Sequence, residues 1–295
     1  MKKNFIYVFA ANIVSLVIGI LTNFMLPKFL SIESYAYMKT YALYISYAGF
    51  FSLGYNDGMY LKYGGKKIGE IGKKDIGDNI FNYTILEVVM TSILLIVGVI
   101  IKKKLVVAFS IGMLATNMSG YLKSLYQATG EMKLYGKALN LEKILIFLLN
   151  LLLLFVFCTD NYYFYILIQI IVGLLVTTIL LWEIQKKYKF LFVGKFSVRE
   201  YYQNIKSGII LMLGNFSSTL FTGIDRWFVK FFMATSDFAL YSFAVSLENI
   251  ITVFITMSKD SNVSSFIIQE SPIFWPARRP SLKSFLTTPF PLQST

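Results

Sequence analysis

Six ionisable side chains interrupt the long apolar blocks of this 295-residue sequence: Glu87, Lys123, Asp225, Arg226, Lys230 and Glu248. A charged group at the centre of a lipid bilayer costs at least about 2.5–3.5 kcal/mol, so such a group is expected to face a cavity or a partner. Lysine and arginine suit phosphate and carboxylate ligands, whereas an acid in apolar surroundings can carry a proton. The pattern therefore indicates anion binding and ion coupling.

The cations are the first candidates for a ligand site. Arg226 ranks first, because a guanidinium can bind two phosphate oxygens with parallel hydrogen bonds, and Lys123 ranks second. Lys230 lies one helical turn beyond Arg226, and Asp225 either contacts the ligand or neutralises these cations. The alternative for Arg226 and Lys230 is that they reach out to the membrane interface, and Lys123 could mark such an interface.

Two acids and two amides complete the candidate set. Glu87 and Glu248 are candidates for coupling to protons or sodium, and the alternative for Glu87 is a buried neutral acid. Asn12 and Asn215 coincide when the sequence is shifted by 203 residues (215 minus 12). This match indicates that two halves of an internal repeat begin with similar helices. Such amides hydrogen-bond either a neighbouring helix or the hydroxyls of a sugar.

The composition excludes much other chemistry. Hydrophobic residues make up 56% of the chain and charged residues 15%, and the mean hydropathy is +0.61, which is typical of an integral membrane protein. Histidine is absent and Cys158 is the single cysteine, so imidazole bases, histidine-ligated metals and thiolate clusters are excluded. We expect neither an enzyme nor a bound cofactor. The net charge of +12 indicates loops near anionic lipid rather than nucleic acid.

The apolar blocks place the candidate residues on about eight predicted membrane-spanning helices, at 5–26, 37–56, 81–101, 105–122, 138–158, 162–182, 208–233 and 238–258. The predicted fold is an all-α, polytopic membrane helix bundle. With the N-terminus in the cytoplasm, the inside segments hold fifteen lysines and arginines and the outside segments six. This asymmetry predicts a cytoplasmic N-terminus, although the trio Lys102, Lys103 and Lys104 then lies on the outer side.

Several motifs occur in order along the chain: Leu26-Pro27-Lys28-Phe29-Leu30, Gly54-Tyr55-Asn56-Asp57-Gly58, Tyr126-Gln127-Ala128-Thr129-Gly130, and Asp225-Arg226-Trp227. Together they resemble the polysaccharide flippases, of the O-antigen and teichoic-acid export type, within the multidrug/oligosaccharidyl-lipid/polysaccharide exporter superfamily. The likeness covers about residues 5–258.

This resemblance implies a carrier that moves lipid-linked oligosaccharide, of the polyprenyl-pyrophosphate type, across a bacterial plasma membrane. Such exporters have twelve to fourteen helices in two bundles, a cationic central cavity and alternating access. Membrane lipids and glycan-assembly membrane proteins are the implied partners, and nucleic acid is not.

The resemblance also divides the chain into four predicted parts: a six-helix bundle at 1–182, a basic cytoplasmic linker at 183–207, the first two helices of a second bundle at 208–258, and a proline-rich tail at 259–295. Prolines at this density stop helices, so the tail is expected to be disordered or to come from outside the family. A truncated, inactive form of the exporter is therefore one expectation.

Three other roles stay open as alternatives, and one of them is a purely structural scaffold, which a truncated chain would favour. A membrane-embedded glycan polymerase or acyltransferase would carry a large outer loop or clustered catalytic residues, and the predicted outer connections are short. A multidrug exporter of the same superfamily would line its cavity with acids, whereas Lys123, Arg226 and Lys230 suit an anionic cargo better.

Overall fold

The protein is an all-helical bundle, as predicted. The computed structural model describes the backbone of residues 2–189 and 194–270, and the side chains of 13–186, 188–189 and 194–252. Within these residues the chain forms nine α-helices: α1 (Lys2–Phe29), α2 (Ile32–Ile45), α3 (Tyr55–Tyr63), α4 (Lys73–Ile100), α5 (Lys104–Ala128), α6 (Met132–Phe155), α7 (Tyr162–Tyr188), α8 (Val198–Phe232) and α9 (Thr235–Glu270).

Five of the described helices are long and apolar enough to cross a membrane: α4, α5, α6, α7 as far as Lys186, and α8. The apolar part of α1 is shorter, at Ile13–Phe29. The described residues up to Ile251 form one compact unit, and the rest of α9 belongs to a second one. Helix α9 runs to Glu270, so the first twelve residues of the tail predicted at 259–295 are helical, and the rest of it, from 271 onward, lies outside the described residues.

The second predicted span, at 37–56, is broken in the structure. Helix α2 ends at Ile45, a short 3₁₀ turn occupies Ala48–Ser52, and α3 begins at Tyr55. The break lies at two left-handed residues, Leu53 with φ 51° and Gly54 with φ 79°. A left-handed residue cannot continue a right-handed helix, so the chain changes direction here and lays α3 across α8.

The core between α3, α4, α5 and α7 is rich in tyrosine. Four of its fully buried tyrosines donate to groups on neighbouring elements: Tyr55 to the Asn79 carbonyl at 3.1 Å, Tyr83 to the Asn117 carbonyl at 3.3 Å, Tyr121 to Asn79 Oδ1 at 2.6 Å, and Tyr126 to the Leu180 carbonyl at 3.0 Å. A buried hydroxyl is tolerated when it is hydrogen-bonded, so these rings supply both apolar area and links between helices.

Helix α8 contacts α3 through glycines, which lets the two backbones approach closely. A Cβ atom on Gly58 would overlap the backbone of Asn204, and one on Gly208 would overlap the backbones of Gly54 and Gly58. Small residues at a helix crossing permit this close packing within membranes. The crossing lies at the end of the bundle that also holds the start of α4 and the end of α5, and we call it the α3 end.

The opposite end of the bundle holds the turns at 30–31, 101–103 and 156–161, and the last residues of α8. The Ser31 amide donates to Asp160 Oδ1 at 2.7 Å, and the Ser34 hydroxyl donates to the Asp160 carbonyl at 2.5 Å. These bonds tie the α1–α2 turn to the start of α7. Because Lys102, Lys103 and Lys104 lie here, we call this the lysine end.

Candidate functional site

Polar side chains recur along one face of α8, and two of them, Asn215 and Lys230, contact Asp57 of α3 and Tyr37 of α2. The polar members of this face are Asn215, Thr219, Thr222, Arg226 and Lys230. Steps of three and four residues place side chains on the same face of an α-helix. Three of the residues that we predicted for substrate binding therefore share one surface, which we call the α8 polar stripe.

The lower half of the stripe borders a cavity of about 340 Å³ between α8, α5 and the α2–α3 connection. Asn215 Nδ2 donates to Asp57 Oδ1 at 3.1 Å, and Asn56 Nδ2 contacts Ser124 Oγ at 3.4 Å. Burial raises the pKa of the Asp57 carboxyl, and the bond from Asn215 partly opposes that rise. The cavity thus presents amides and one carboxyl beside the ring of Phe216.

Glu87 is fully buried behind this cavity. The side-chain amide of Asn117 donates to both carboxyl oxygens of Glu87, at 3.1 and 3.0 Å, and also contacts the Ala48 carbonyl at 3.0 Å. Asn117 itself lines the cavity. The sequence predicted Glu87 as a functional acid but did not predict Asn117 as its hydrogen-bond partner. A signal was available, because Asn117 is an amide within the apolar block 105–122.

The upper half of the stripe is cationic. Lys39 on α2 and Arg226 on the neighbouring α8 are like charges that act unfavourably on each other. Lys39 Nζ donates to Ser246 Oγ at 2.7 Å and to Asn23 Oδ1 at 3.3 Å, and it lies 5.3 Å from the centre of the Tyr35 ring. Four helices of the bundle, α1, α2, α8 and α9, therefore meet around this pair of cations.

Neither cation of the Lys39–Arg226 pair has an acidic partner among the described residues, whose ion pairs all lie elsewhere. Arg226 donates to the Thr222 carbonyl at 3.2 Å, and its buried Nε makes no hydrogen bond to the described part of the chain. The buried hydroxyl of Tyr47, which lies beside Gly223, is equally without a partner there. Such donors indicate a site for an acceptor-rich ligand.

Lys39 was missing from the predicted site. The predicted span at 37–56 placed Lys39 at its boundary, whereas α2 begins at Ile32 and therefore carries Lys39 about two turns into the helix. The sequence signal was available, because Ser31 followed by an acid at Glu33 is typical of a helix start. Ser31 does cap α2, accepting from the Ser34 amide at 3.2 Å.

The remaining predicted cations lie apart from this pair. Lys123 points to α6, where its Nζ forms an ion pair with Glu142 Oε2 at 2.7 Å, so its charge is balanced. Lys230 lies at the lysine end, with its Nζ 5.9 Å from the centre of the Tyr37 ring and 5.1 Å from that of Phe238.

The remaining predicted acids and amide are also separate. Asp225 accepts a short hydrogen bond from the Tyr241 hydroxyl and so links α8 to α9. Glu248 is exposed on α9. The side chain of Asn12 lies outside the described residues. No group of three or more acids or cysteines suited to a metal ion occurs in the described part of the chain.

No curated protein and no solved structure matches this chain. A family model does match: the one described as polysaccharide biosynthesis protein covers residues 1–261, which is most of the sequence. This confirms the resemblance and explains the multispan helical bundle. The chain therefore belongs to the polysaccharide biosynthesis protein family, the flippase-type exporters that act in polysaccharide biosynthesis and export.

Proposed function

We propose that this chain carries lipid-linked oligosaccharide across the bacterial plasma membrane by alternating access, and that it is a transporter rather than an enzyme. The observation that carries the proposal is the Lys39–Arg226 pair. Two like charges act on each other within a helical bundle, and neither forms an ion pair with a carboxylate among the described residues, so an anionic ligand is favoured to balance them. A polyprenyl-pyrophosphate cargo supplies such an anion.

The two cations suit the two parts of a pyrophosphate. Arg226 can bind two oxygens of one phosphate in a planar fork, and Lys39 adds a compact point charge. The Arg226 Nε and the Tyr47 hydroxyl supply further donors. The amides and hydroxyls of the cavity near Asn215 and Thr219 then offer hydrogen bonds to sugar hydroxyls along the same stripe.

Alternating access requires that one end of the path closes while the other opens. The glycine crossing of α3 and α8 supports a closed α3 end in this conformation, because backbone contact leaves no room for a ligand. With the N-terminus in the cytoplasm, as the loop charges favour, the α3 end is the cytoplasmic one. In this conformation the protein would therefore hold its cargo in a site that opens toward the outer leaflet.

Transport against a gradient requires coupling, and we assign that role to Glu87, with protons or sodium as the coupling ion. Glu87 is buried, is held by Asn117, and lies behind the cavity that Asn215 lines. A change in its charge would alter the bonds of Asn117, and through them the contact with the Ala48 carbonyl at the α2–α3 connection. Glu248 is a less favoured candidate because it is exposed.

The proposal is tested by replacing the cationic pair in a strain whose surface glycan depends on this chain. We expect K39A/R226A to lower export by at least about 100-fold, since each lost charged hydrogen bond costs about 1.5–3 kcal/mol and the double variant loses two. R226K should retain part of the activity, because it keeps the charge but loses the fork. The measurement is surface glycan per cell, normalised to the amount of protein in the membrane.

K133A is the matched control, because Lys133 is an exposed lysine on α6 at the α3 end. It should export like the parent protein. Normal export by K39A/R226A, at normal protein level, would remove the Lys39–Arg226 pair from the transport path and with it the basis of this proposal.

A further inference from the structure

The trio Lys102, Lys103 and Lys104 is the largest group of loop charges that opposes the proposed orientation. All three side chains are exposed at the lysine end. Positive charge on the outer side of a membrane works against correct insertion, so three adjacent lysines there need another reason. The central Lys39–Arg226 pair does not supply one, because the trio is not part of it.

The structure places the trio around a cavity of about 580 Å³ at the lysine end. Lys230 from α8 joins the three lysines, so four cations from two separate parts of the chain converge on one space. No Asp or Glu lines this cavity in the described part of the chain, and none of the four lysines forms an ion pair there. The lining of the cavity therefore carries positive charge and no acid among the described residues.

The first turn of α5 adds to this positive potential. The helix begins at Lys104, and the side chain of the preceding Lys103 does not cap it. Unpaired amide groups and the positive end of the helix dipole at such a terminus favour an anion. This contribution acts together with the four ammonium groups.

Tyrosine rings also line the cavity. Tyr37 stacks on Tyr162 with 4.6 Å between ring centres, and Tyr162 lies 4.1 Å from Tyr163. Lys104 Nζ lies 5.8 Å from the centre of the Tyr163 ring, and Lys230 Nζ lies 5.9 Å from that of Tyr37. These contacts orient the two ammonium groups over a rigid aromatic surface.

We propose that this cavity binds the phosphate group of a membrane-anchored ligand. Four ammonium groups, a helix N-terminus and tyrosine hydroxyls provide charge and donors for phosphate oxygens. The phosphate could belong to the lipid-linked cargo after its delivery, a source that rests on the transport function proposed above. It could equally belong to an anionic phospholipid headgroup, a source that is independent of transport.

The test is a binding measurement on the purified full chain in nanodiscs of neutral phosphatidylcholine. The probes are a short-chain polyprenyl pyrophosphate and phosphatidylglycerol. The variant is K102Q/K103Q/K104Q, and the matched control is K66Q/K73Q/K74Q, which removes three exposed lysines at the α3 end. A lysine near anionic lipid contributes about 1 kcal/mol, so we expect the first variant to lose at least about tenfold in affinity and the control little.

Each outcome decides the proposal. A loss confined to polyprenyl pyrophosphate supports a cargo site, and a loss for both probes supports a phosphate site shared with phospholipid. Restored binding in K102R/K103R/K104R supports the role of charge. Unchanged affinity in the glutamine variant, or an equal loss in both triple variants, overturns the proposal. Export by K39A/R226A tests the proposed transport function, whereas ligand binding by K102Q/K103Q/K104Q tests the cavity at the lysine end. Either proposal can therefore fail while the other stands.

Discussion

The two halves of α8 differ in how they satisfy their polar groups. In the first half, Glu200 accepts from Lys62 Nζ at 2.6 Å and from Asn79 Nδ2 at 2.8 Å, and Gly208 touches the backbone of α3. In the second half, Arg226 has no acidic partner among the described residues and keeps a buried Nε without a bond to them. We call the first half of α8 the fastened half, because hydrogen bonds and backbone contact hold it in place. We call the second half the incomplete half, because it keeps polar groups that bond to none of the described residues.

This difference shows how one helix can serve two purposes. The fastened half fixes the position of α8 against α3 and α4, where Asn82 and the Ser197 backbone exchange two hydrogen bonds, at 3.1 and 3.0 Å. The incomplete half, where Trp227 stacks on Tyr44, can then present charge at a defined place. A ligand site built on a fixed element keeps its geometry better than one on a loop.

The largest effect should follow from filling the α3–α8 crossing. A methyl group at Gly208 would overlap the backbones of Gly54 and Gly58, and a backbone cannot rotate away as a side chain can. We expect G208A to lower the free energy of unfolding by more than about 3 kcal/mol. The measurement is thermal or denaturant unfolding of the purified chain in detergent.

G214A is the control on the same helix, because nothing lies within 4 Å of a Cβ at Gly214. Alanine is the better helix former, so G214A should raise stability by about 0.5–1 kcal/mol. Equal destabilisation by G208A and G214A would contradict the prediction that backbone contact at Gly208 holds α8 against α3.

An intermediate effect should follow from removing Glu200. E200A leaves the Lys62 ammonium and the Asn79 amide without their acceptor, and we expect a loss of about 2–3 kcal/mol, with Lys62 partly relieved by its contact with solvent. The control is E70A, which breaks the exposed 3.9 Å ion pair with Lys67 and should change stability by less than about 0.5 kcal/mol. Similar losses for both variants would contradict a satisfied buried network at the α3 end.

The smallest effect should come from single hydroxyls. Y121F removes the 2.6 Å bond from the Tyr121 hydroxyl to Asn79 in the fastened region and should cost about 1–2 kcal/mol. Y47F removes a hydroxyl that bonds to none of the described residues, so stability should stay within about 0.5 kcal/mol. Unfolding of both variants under the same conditions measures the contrast, and a larger loss for Y47F would reverse it.

Much of the fold could be predicted from the sequence, because long apolar blocks leave few options inside a membrane. The predicted blocks at 105–122 and 162–182 lie within α5 and α7. The break between α2 and α3 was not predicted, since the left-handed turn at Leu53 and Gly54 changes the chain direction without changing its hydrophobicity.

The site could be predicted only in part, for a related reason. The spacing of Asn215, Arg226 and Lys230 on one helix face is visible in the sequence. The approach of Lys39 to Arg226 depends on how α2 packs against α8, and no local pattern encodes a contact between such distant parts of the chain. The ion pair between Lys123 and Glu142 neutralises Lys123, which the sequence ranked second for ligand binding. This ion pair also depends on helix packing, which no local pattern encodes.

The fastening of α8 has a consequence for how the chain is made. Lys62 and Glu200 are separated by 138 residues, so at ribosomal speeds of about 5–20 residues per second α3 is synthesised roughly 7 to 28 s before its partner. During that interval α3 carries Lys62 and the glycine face of Gly54 and Gly58 without α8. The insertion machinery, or a chaperone at the membrane surface, must therefore tolerate an incomplete bundle until the seventh predicted span emerges.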